Sequence, residues 1–361
     1  MEELETPVIR KSKIKEQIME LNYIHPNFRL NGNSYTIEEL ITLAKEWELG
    51  TQEYLVDLGR LIIEWFDTND YVSLTTSGTT GPPKIIHLKK EAMICSAKAT
   101  ASFFEITTGS TALLCMSTKF VGGKLMFIRS LIVGWSLDVK EPTARPLEQN
   151  TKLYDFVAMV PMQVENSIEE LNKVKTLIIG GAKVNQGLAD KLKQVTTKVY
   201  ETYGMTETIT HIAAKRVGVA SFSVLSHATV SQDDRGCLVI SAPTVNPELV
   251  ITNDLVEIIN NKEFKWLGRV DNVINSGGVK LFPEQIEEKL SKRIPYRFFV
   301  ASKEDTYLGN KLVLVIESEQ YTLPDDIYVE LGKYEKPREV QFVSKFEETE
   351  TGKIIRKKNI Q

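Results

Sequence analysis

"KTLIIGGAKVNQGLADKLKQVTTKVYETYGMTET", residues 175–208, holds two apolar runs separated by a helical pattern. The first run closes on Gly180-Gly181-Ala182, "NQGLADKLKQV" reads as a helix, and the second run closes on Tyr203-Gly204. Near-continuous apolar strands alternating with helices mark a largely parallel sheet covered on both faces. Ligands of such sheets sit beyond the carboxyl ends of the strands, which is where this stretch places its glycines, its tyrosine, Thr206 and Glu207.

The same alternation extends outward. "ALLCMS" (112–117) precedes "GGKLMFIRSLIVG", and "YDFVAMV" (154–160) precedes a helix led by Pro161, a residue suited to a first helical turn. Upstream, Thr36 and Glu39 form a capping-box pattern before "IEELITLAKEW". Leu55, Leu58, Ile62 and Trp65 recur at helical spacing and predict a helix over 52–66. "YVSLTT" (71–76) reads as a strand. Downstream of 250 come short, turn-rich strand patterns, a helix at 283–292, strands near 296–302 and 311–317, a helix near 324–333 and a last strand near 338–343. The expected class is α/β: a large N-terminal domain, 1–270, with mostly parallel sheets flanked by helices, and a small α+β domain, 271–361.

The chain has 361 residues, 42% hydrophobic and 25% charged, with a net charge of −4. These values suit a globular protein of about two or three domains and offer no basic field for nucleic acid or an anionic membrane. No run approaches ~18 apolar residues and the N-terminus lacks an apolar signal core, so a cytoplasmic protein without a membrane span is expected. Cys95, Cys115 and Cys237 are odd in number and widely spaced, which predicts free thiols, and the four histidines show no metal-ligand spacing.

Chemistry concentrates in loops. "TSGTTGPPK" (76–84) follows a strand with two glycines, four hydroxyl residues and a lysine. Gly78 and Gly81 let the backbone bend and present N–H groups, Ser77, Thr79 and Thr80 add hydroxyls, and Lys84 adds charge, a composition able to wrap a phosphate chain. The Walker pattern is absent, and a polar surface turn is the plain alternative. In "YGMTET" (203–208), Tyr203 can stack on a base, Thr206 can bond a phosphate and Glu207 can hold Mg²⁺ through oxygen. "GRVDNVINSGG" (268–278) and "TETGKIIRKK" (349–358) complete the series, the latter with Lys353 directly after a glycine.

Taken in order, "TSGTTGPPK", "GGA", "YGMTET", "TND", "GRVDNVINSGG" and "TGKIIRK" resemble the successive signatures of the acyl-adenylate-forming superfamily, over about residues 72–356. The resemblance implies an adenylate-forming large domain, a mobile lid domain, and the activation of a carboxylate with ATP and Mg²⁺ before transfer to a thiol, commonly that of coenzyme A. It implies a phosphate loop at Thr76, Ser77, Gly78, Thr79, Thr80, Gly81 and Lys84. Gly180, Gly181 and Ala182 would line the adenine and acyl pocket. Tyr203 and Gly204 would flank adenine, Thr206 would touch phosphate, and Glu207 would bind the metal. Asp254 and Arg269 would hold the ribose, and Asp271 would be the hinge. Gly277 and Gly278 would border the pantetheine channel, and Lys353 would bridge the carboxylate and phosphate during adenylation. The chain departs from the pattern at Thr252-Asn253-Asp254, where the middle residue is usually glycine. Asparagine also tolerates left-handed backbone, so a turn is expected to survive. The N-terminal portion and the stretch between "YGMTET" and "GRVD" are also shorter than usual.

"MSTKFVGGKLMFIRSLIVGWSLDVKEP" (116–142) and "AMVPMQVEN" (158–166) resemble the short o-succinylbenzoate-CoA ligases of menaquinone biosynthesis. That substrate carries two carboxylates, so one must be anchored while the other reacts. Lys119, Lys124 and Arg129 are the candidate cations, and Gly122 and Gly123 would allow close approach of a ligand. Each cation is equally open to a surface or ion-pairing role. Another aryl- or acyl-CoA ligase, or a non-catalytic nucleotide or acyl-AMP binder, remains as an alternative. The expected partner is a small carboxylic acid rather than nucleic acid, and the sequence leaves homo-oligomerisation open.

Overall fold

The computed structural model describes residues 23–76, 84–348 and 354–360. After a two-residue strand β1 (Arg29–Leu30) come α1 (Ile37–Glu48) and α2 (Glu53–Trp65). The box at the start of α1 forms as expected: Thr36 Oγ1 accepts from the Glu39 N–H at 3.2 Å, and the Glu39 carboxylate accepts from the Thr36 N–H at 2.8 Å. Strands β2 (Tyr71–Thr76) and β3 (Lys84–Lys89) form a separate antiparallel hairpin, with Thr76 opposite Lys84 at its open end. Ser77, Gly78, Thr79, Thr80 and Gly81 lie outside the described residues.

The next segment supplies α3 (Lys90–Phe103), β4 (Thr111–Leu114), α4 (Val121–Val133), β5 (Ser136–Val139), β6 (Tyr154–Met159), α5 (Pro161–Glu165), β7 (Val174–Ile179), α6 (Gln186–Leu192) and β8 (Lys198–Gly204). Strands β1, β5, β4, β6, β7 and β8 lie side by side in that order, all parallel. Their apolar character follows from double-sided burial. Ala112, Leu114, Phe156, Ala158 and Ile178 face one core, while Leu113, Cys115, Val157, Met159, Leu177 and Ile179 face the other. This is period-two alternation with both faces covered. Helix α4 is buried without interruption from Gly123 to Ile132, Lys124, Arg129 and Ser130 included, so it has no solvent-facing polar stripe. Helix α3 is also largely buried, through small residues such as Ala92, Ser96, Ala97 and Thr100. Its apolar stripe is too weak to have drawn notice in the sequence.

Beyond β8 the sheet continues with antiparallel strands: β9 (His211–Arg216), β10 (Ser221–Val224), β11 (Thr229–Gln232), β12 (Cys237–Ala242), β13 (Asn246–Asn260) and β14 (Glu263–Arg269). In space the order after β8 is β9, β10, β14, β13, β12, β11, giving twelve strands in all. The short strands expected near 250–270 are in fact one long hairpin, β13 with β14.

The large sheet ends at Arg269. Strands β15 (Ile274–Ser276) and β16 (Val279–Leu281) form a hairpin, followed by α7 (Pro283–Leu290) and a three-stranded sheet of β17 (Phe298–Asp305), β18 (Gly309–Glu317) and β19 (Glu339–Val343). The helix expected near 324–333 is absent; only a short turn of helix at Asp325–Tyr328 forms. Gly332 interrupts the pattern, its N–H taken by the Glu335 carboxylate at 2.6 Å. Tyr328 and Leu331 pack on the core beneath, and Glu330 pairs with Lys292. Tertiary contacts outweigh a weak local preference here. Among the described residues Cys115 and Cys237 are buried, Cys95 is half-buried, and all three are free. No described helix is long and apolar enough to cross a membrane.

Candidate active site

Met159 and Ile179, the last residues of β6 and β7, stand level with Glu201, three residues before the end of β8. The loops that follow, Gly180-Gly181-Ala182 and Met205–Thr210, therefore open on the same side, as the topology requires. Gly181 adopts φ +86°, a conformation that favours glycine. A Cβ at Gly204 would come within 2.3 Å of the Thr210 carbonyl oxygen, so glycine is needed for the chain to fold back beside itself.

The fold-back is tight. Thr206–Thr208 form one helical turn, and the Thr210 N–H then bonds the Thr208 carbonyl at 2.7 Å across Ile209, whose φ is +63° and ψ −54°. This is a γ-turn of the strained, positive-φ kind, built on a β-branched residue. Thr208 Oγ1 donates toward the Met205 and Thr210 carbonyls at 3.0 and 2.7 Å and accepts from the Met205 N–H at 3.0 Å. Asn246 Nδ2 donates to the Glu207 carbonyl oxygen at 3.2 Å. The loop is thus braced from both sides while the Glu207 side chain stays exposed, and no described cation pairs with it.

Opposite this loop, β13 bulges. Between Cys237 and Val239 of β12 the chain advances two residues, whereas β13 uses four to pass from Leu255 to Ile251. The extra residues fall in Thr252-Asn253-Asp254, and bulges re-aim side chains at functional edges. The Asp254 N–H is capped by Thr252 Oγ1 at 3.0 Å. Its carboxylate accepts from the Tyr203 hydroxyl at 2.6 Å and from Trp266 Nε1 at 3.2 Å. Burial and then the Asp254 charge push the Tyr203 hydroxyl well above its ordinary range, so it remains a donor. The Tyr203 ring meets Phe264 and Phe222 edge-on, with centroids 5.3 and 5.8 Å apart. Arg269 lies opposite Asp254 in the β13–β14 register, and its guanidinium bonds Asp271 at 3.2 Å. The expected left-handed turn at Asn253 does not form. That residue keeps negative φ within the bulge, and a bulge needs no such conformation.

The three candidate cations separate. Lys119 lies at the surface, bonded to Glu53 and 3.6 Å from Asp57 on α2. Lys124 is buried; burial lowers its pKa, and Glu64 and Asp57 on α2 act in the opposite direction. Arg129, five residues on, points the other way. It is 1% exposed, and among the described residues it bonds Thr210 Oγ1 at 3.4 Å and its Nε has no partner. Among the described residues no carboxylate pairs with it, and burial alone pulls its pKa down to about 9. His211 completes the group. Its Nε2 lies 3.2 Å from Thr100 Oγ1, and burial together with Arg129 holds its pKa well below the ordinary histidine range, so it stays neutral. At Gly123 the close approach is made by the chain's own Ser117 carbonyl, whose oxygen would stand 2.3 Å from a Cβ there, and Gly122 faces Met116.

Gly277 and Gly278, at φ +58° and +82°, form the two-residue turn joining β15 to β16, a geometry that calls for glycine. The Gly277 N–H bonds the Leu308 carbonyl at 2.9 Å. Lys353 lies outside the described residues, as do the side chains of Thr76 and Lys84. Tyr203, Asp254, Arg269 and Asp271 are therefore brought together, Thr206 and Glu207 follow Tyr203 in the next loop, and Arg129 meets that loop at Thr210. The sequence reading missed Trp266 and Thr210; the only available signal for Trp266 was its place three residues before Arg269.

The donor set fits the expected nucleotide and metal. An aspartate on a strand bulge, bonded to a tyrosine hydroxyl, suits a ribose and a base. One exposed glutamate without a described cluster of three metal-ligating side chains suits Mg²⁺, which is commonly held by one or two carboxylates plus phosphate and water.

Comparison with known proteins identifies the family. The family described as AMP-binding enzyme matches residues 37–254. The 2-succinylbenzoate-CoA ligase of Listeria monocytogenes is 24% identical over 82% of this chain and 71% of its own length. The crystal structure of an acyl-CoA synthetase (AMP-forming)/AMP-acid ligase II-like protein from Dyadobacter fermentans is 35% identical, covers 88% of this chain and 97% of that one, and superposes with a TM-score of 0.60. The o-succinylbenzoate coenzyme A synthetase of Bacillus subtilis, solved with ATP and magnesium, shares the fold at 18% identity, with a TM-score of 0.69 over 80% of this chain and 69% of that one. With its family match spanning more than half its length, this chain belongs to the AMP-binding enzyme family, the acyl-adenylate-forming enzymes that its ordered motifs resemble.

Proposed function

We propose that this AMP-forming acyl-CoA ligase, which uses ATP, Mg²⁺ and coenzyme A, activates o-succinylbenzoate. In the first step a carboxylate oxygen of the acid attacks the α-phosphorus of ATP and pyrophosphate leaves. In the second the thiol of coenzyme A attacks the acyl carbonyl and AMP leaves with the bonding pair. The observation that carries the choice of acid is Arg129. A cation buried this deeply with no carboxylate partner among the described residues is costly, and it touches the loop that bears Glu207 at Thr210. Thr210, its partner, is three residues from Glu207, at most ~10 Å along the chain. A substrate with a second carboxylate supplies the missing counter-charge.

The remaining roles follow from position. Asp254 accepts the ribose hydroxyls, Tyr203 packs beside the base, Thr206 contacts phosphate, and Arg269 assists at the ribose. Glu207 contributes an oxygen to Mg²⁺, which neutralises the phosphates. Gly180, Gly181, Ala182 and Gly204 leave the pocket wall low enough for a ligand. Lys353 bridges the two reacting anions, and the phosphate loop at 76–84 cradles the triphosphate. The large and small domains divide near Asp271, so that rotation about this residue exchanges Lys353 for the channel beside Gly277 and Gly278. Lys119 and Lys124 serve the packing of α4 on α2 rather than the acid.

Pyrophosphate release measured over a panel of acids, with and without coenzyme A, tests the reading. Release with o-succinylbenzoate, and thioester formation on adding coenzyme A, supports it. Release only with benzoates or fatty acids replaces the substrate, and no release with any acid leaves a nucleotide-binding protein.

A further inference from the structure

The structure gives Asn253, where the family pattern has glycine, two bonds that glycine cannot make. Its Nδ2 donates to Asp271 Oδ2 at 3.2 Å, and its Oδ1 accepts from an Arg235 guanidinium N–H at 3.0 Å. The amide can face only this way, oxygen to the cation and NH₂ to the carboxylate. Arg235 is itself fixed by Asp233 at 2.9 Å and donates to the Thr252 carbonyl at 2.9 Å. Asp271 accepts in addition from Arg269. The chain of contacts runs from the turn between β11 and β12, through the bulge carrying Asp254, to Asp271, two residues past the end of the large sheet.

We propose that Asn253 is a positioning residue that clasps the ribose-binding bulge to Asp271 and so sets the balance between the two half-reactions. Two features favour a releasable clasp over a static strut. Arg235, Arg269 and Asp271 side chains are 48%, 49% and 57% exposed, so water can replace each bond at little cost. The residue bonded to Asp271 is also the immediate neighbour of Asp254, so a ribose that shifts the Asp254 backbone shifts the clasp with it. The proposal rests on Asp271 being the hinge.

Hydrogen–deuterium exchange of amides 270–273 in the free enzyme reads the clasp directly. Asn253→Gly is expected to speed their exchange about two- to fivefold, while amides of β12–β14 and the unfolding temperature stay at wild-type values. Asn253→Asp keeps the acceptor for Arg235 but loses the donor to Asp271, and is expected to match or exceed the glycine variant. The ratio of adenylation to thioester formation, the latter measured from supplied acyl-AMP, is expected to move at least about twofold in both variants. Unchanged exchange at 270–273, or a change spread evenly over β12–β14, overturns the clasp. Asp271→Pro, which fixes φ, tests the hinge separately. If it leaves both half-reactions in wild-type proportion, the hinge reading falls. If it separates them while Asn253→Gly changes nothing, the clasp alone falls.

Discussion

Replacing Arg129 with methionine is expected to stabilise the protein and cripple it together. The guanidinium is 1% exposed, and burial lowers its pKa from the ordinary 12.5 to about 9. That displacement corresponds to about 5 kcal/mol against the charged form. The sign is fixed: for a base with a lowered folded pKa, the penalty is full below about pH 9 and is relieved only as pH rises toward 12.5. Methionine fills much of the volume without a charge. It forfeits the long bond to Thr210 and disturbs packing by about 1–3 kcal/mol, leaving a net gain of about 2 kcal/mol and a rise of about 4 °C in unfolding temperature. The substrate effect runs the other way. Loss of a buried charge-assisted contact to a carboxylate costs about 3 kcal/mol, or ~100-fold in kcat/KM for o-succinylbenzoate, with the KM for ATP unchanged. Thermal unfolding without ligand and steady-state pyrophosphate release are the two assays. A variant that melts several degrees lower and keeps its KM for the acid would show that Arg129 is a structural cation.

The His227 ring is held to a pKa of about 4 by burial, with Lys262 next in effect, and both its nitrogens lack partners among the described residues. Stability is therefore full above pH 6.5 and drains as pH falls toward 4; by pH 5 this histidine alone costs about 2 kcal/mol. Urea midpoints at pH 7 and 5 should show a smaller loss in His227→Gln than in the native chain, and equal losses would refute the assignment. Glu207→Gln should raise the Mg²⁺ concentration for half-maximal pyrophosphate release about tenfold or more; an unmoved titration removes Glu207 from the metal. Lys353→Ala should slow adenylation by ~100-fold or more while thioester formation from supplied acyl-AMP persists, and equal loss in both steps contradicts its role.

The parallel half of the sheet was legible because its physics is local. Double-sided burial writes apolar runs into β4, β6 and β7, and the chain must turn where those runs end, so Gly180 could be placed from the letters alone. Helix α1 announced itself through Thr36 and Glu39. Helix α3 did not, since burial through alanine, serine and threonine leaves little contrast between its faces. The antiparallel half was harder still, because its order β10-β14-β13-β12-β11 depends on pairings far apart in sequence. The same limit governed the cations. Lys119, Lys124 and Arg129 look alike in a string of letters, and their difference comes from α2, whose Glu53, Asp57 and Glu64 claim the first two. Trp266 became part of the site only through the hairpin that sets it beside Asp254.

Two local irregularities then explain how a regular sheet presents an irregular site. A β-branched residue at φ +63° costs about 1–3 kcal/mol, yet Ile209 is 5% exposed, and burying such a side chain returns about as much. The turn is therefore held from within the core. It fixes Thr210 beneath the strand ends, next to Arg129, while Glu207 three residues earlier stays in solvent. The bulge in β13 does the converse: it lifts Asp254 out of the strand's alternation toward Tyr203, with Thr252 Oγ1 satisfying the N–H that the bulge leaves unpaired. The turn thus sets a buried cation behind the loop that carries an exposed glutamate, and the bulge sets an aspartate against the tyrosine before that loop. Flattening either irregularity would return its side chain to the ordinary face of the sheet, which is why the family likeness in the letters is matched here by departures from regular geometry at the same residues.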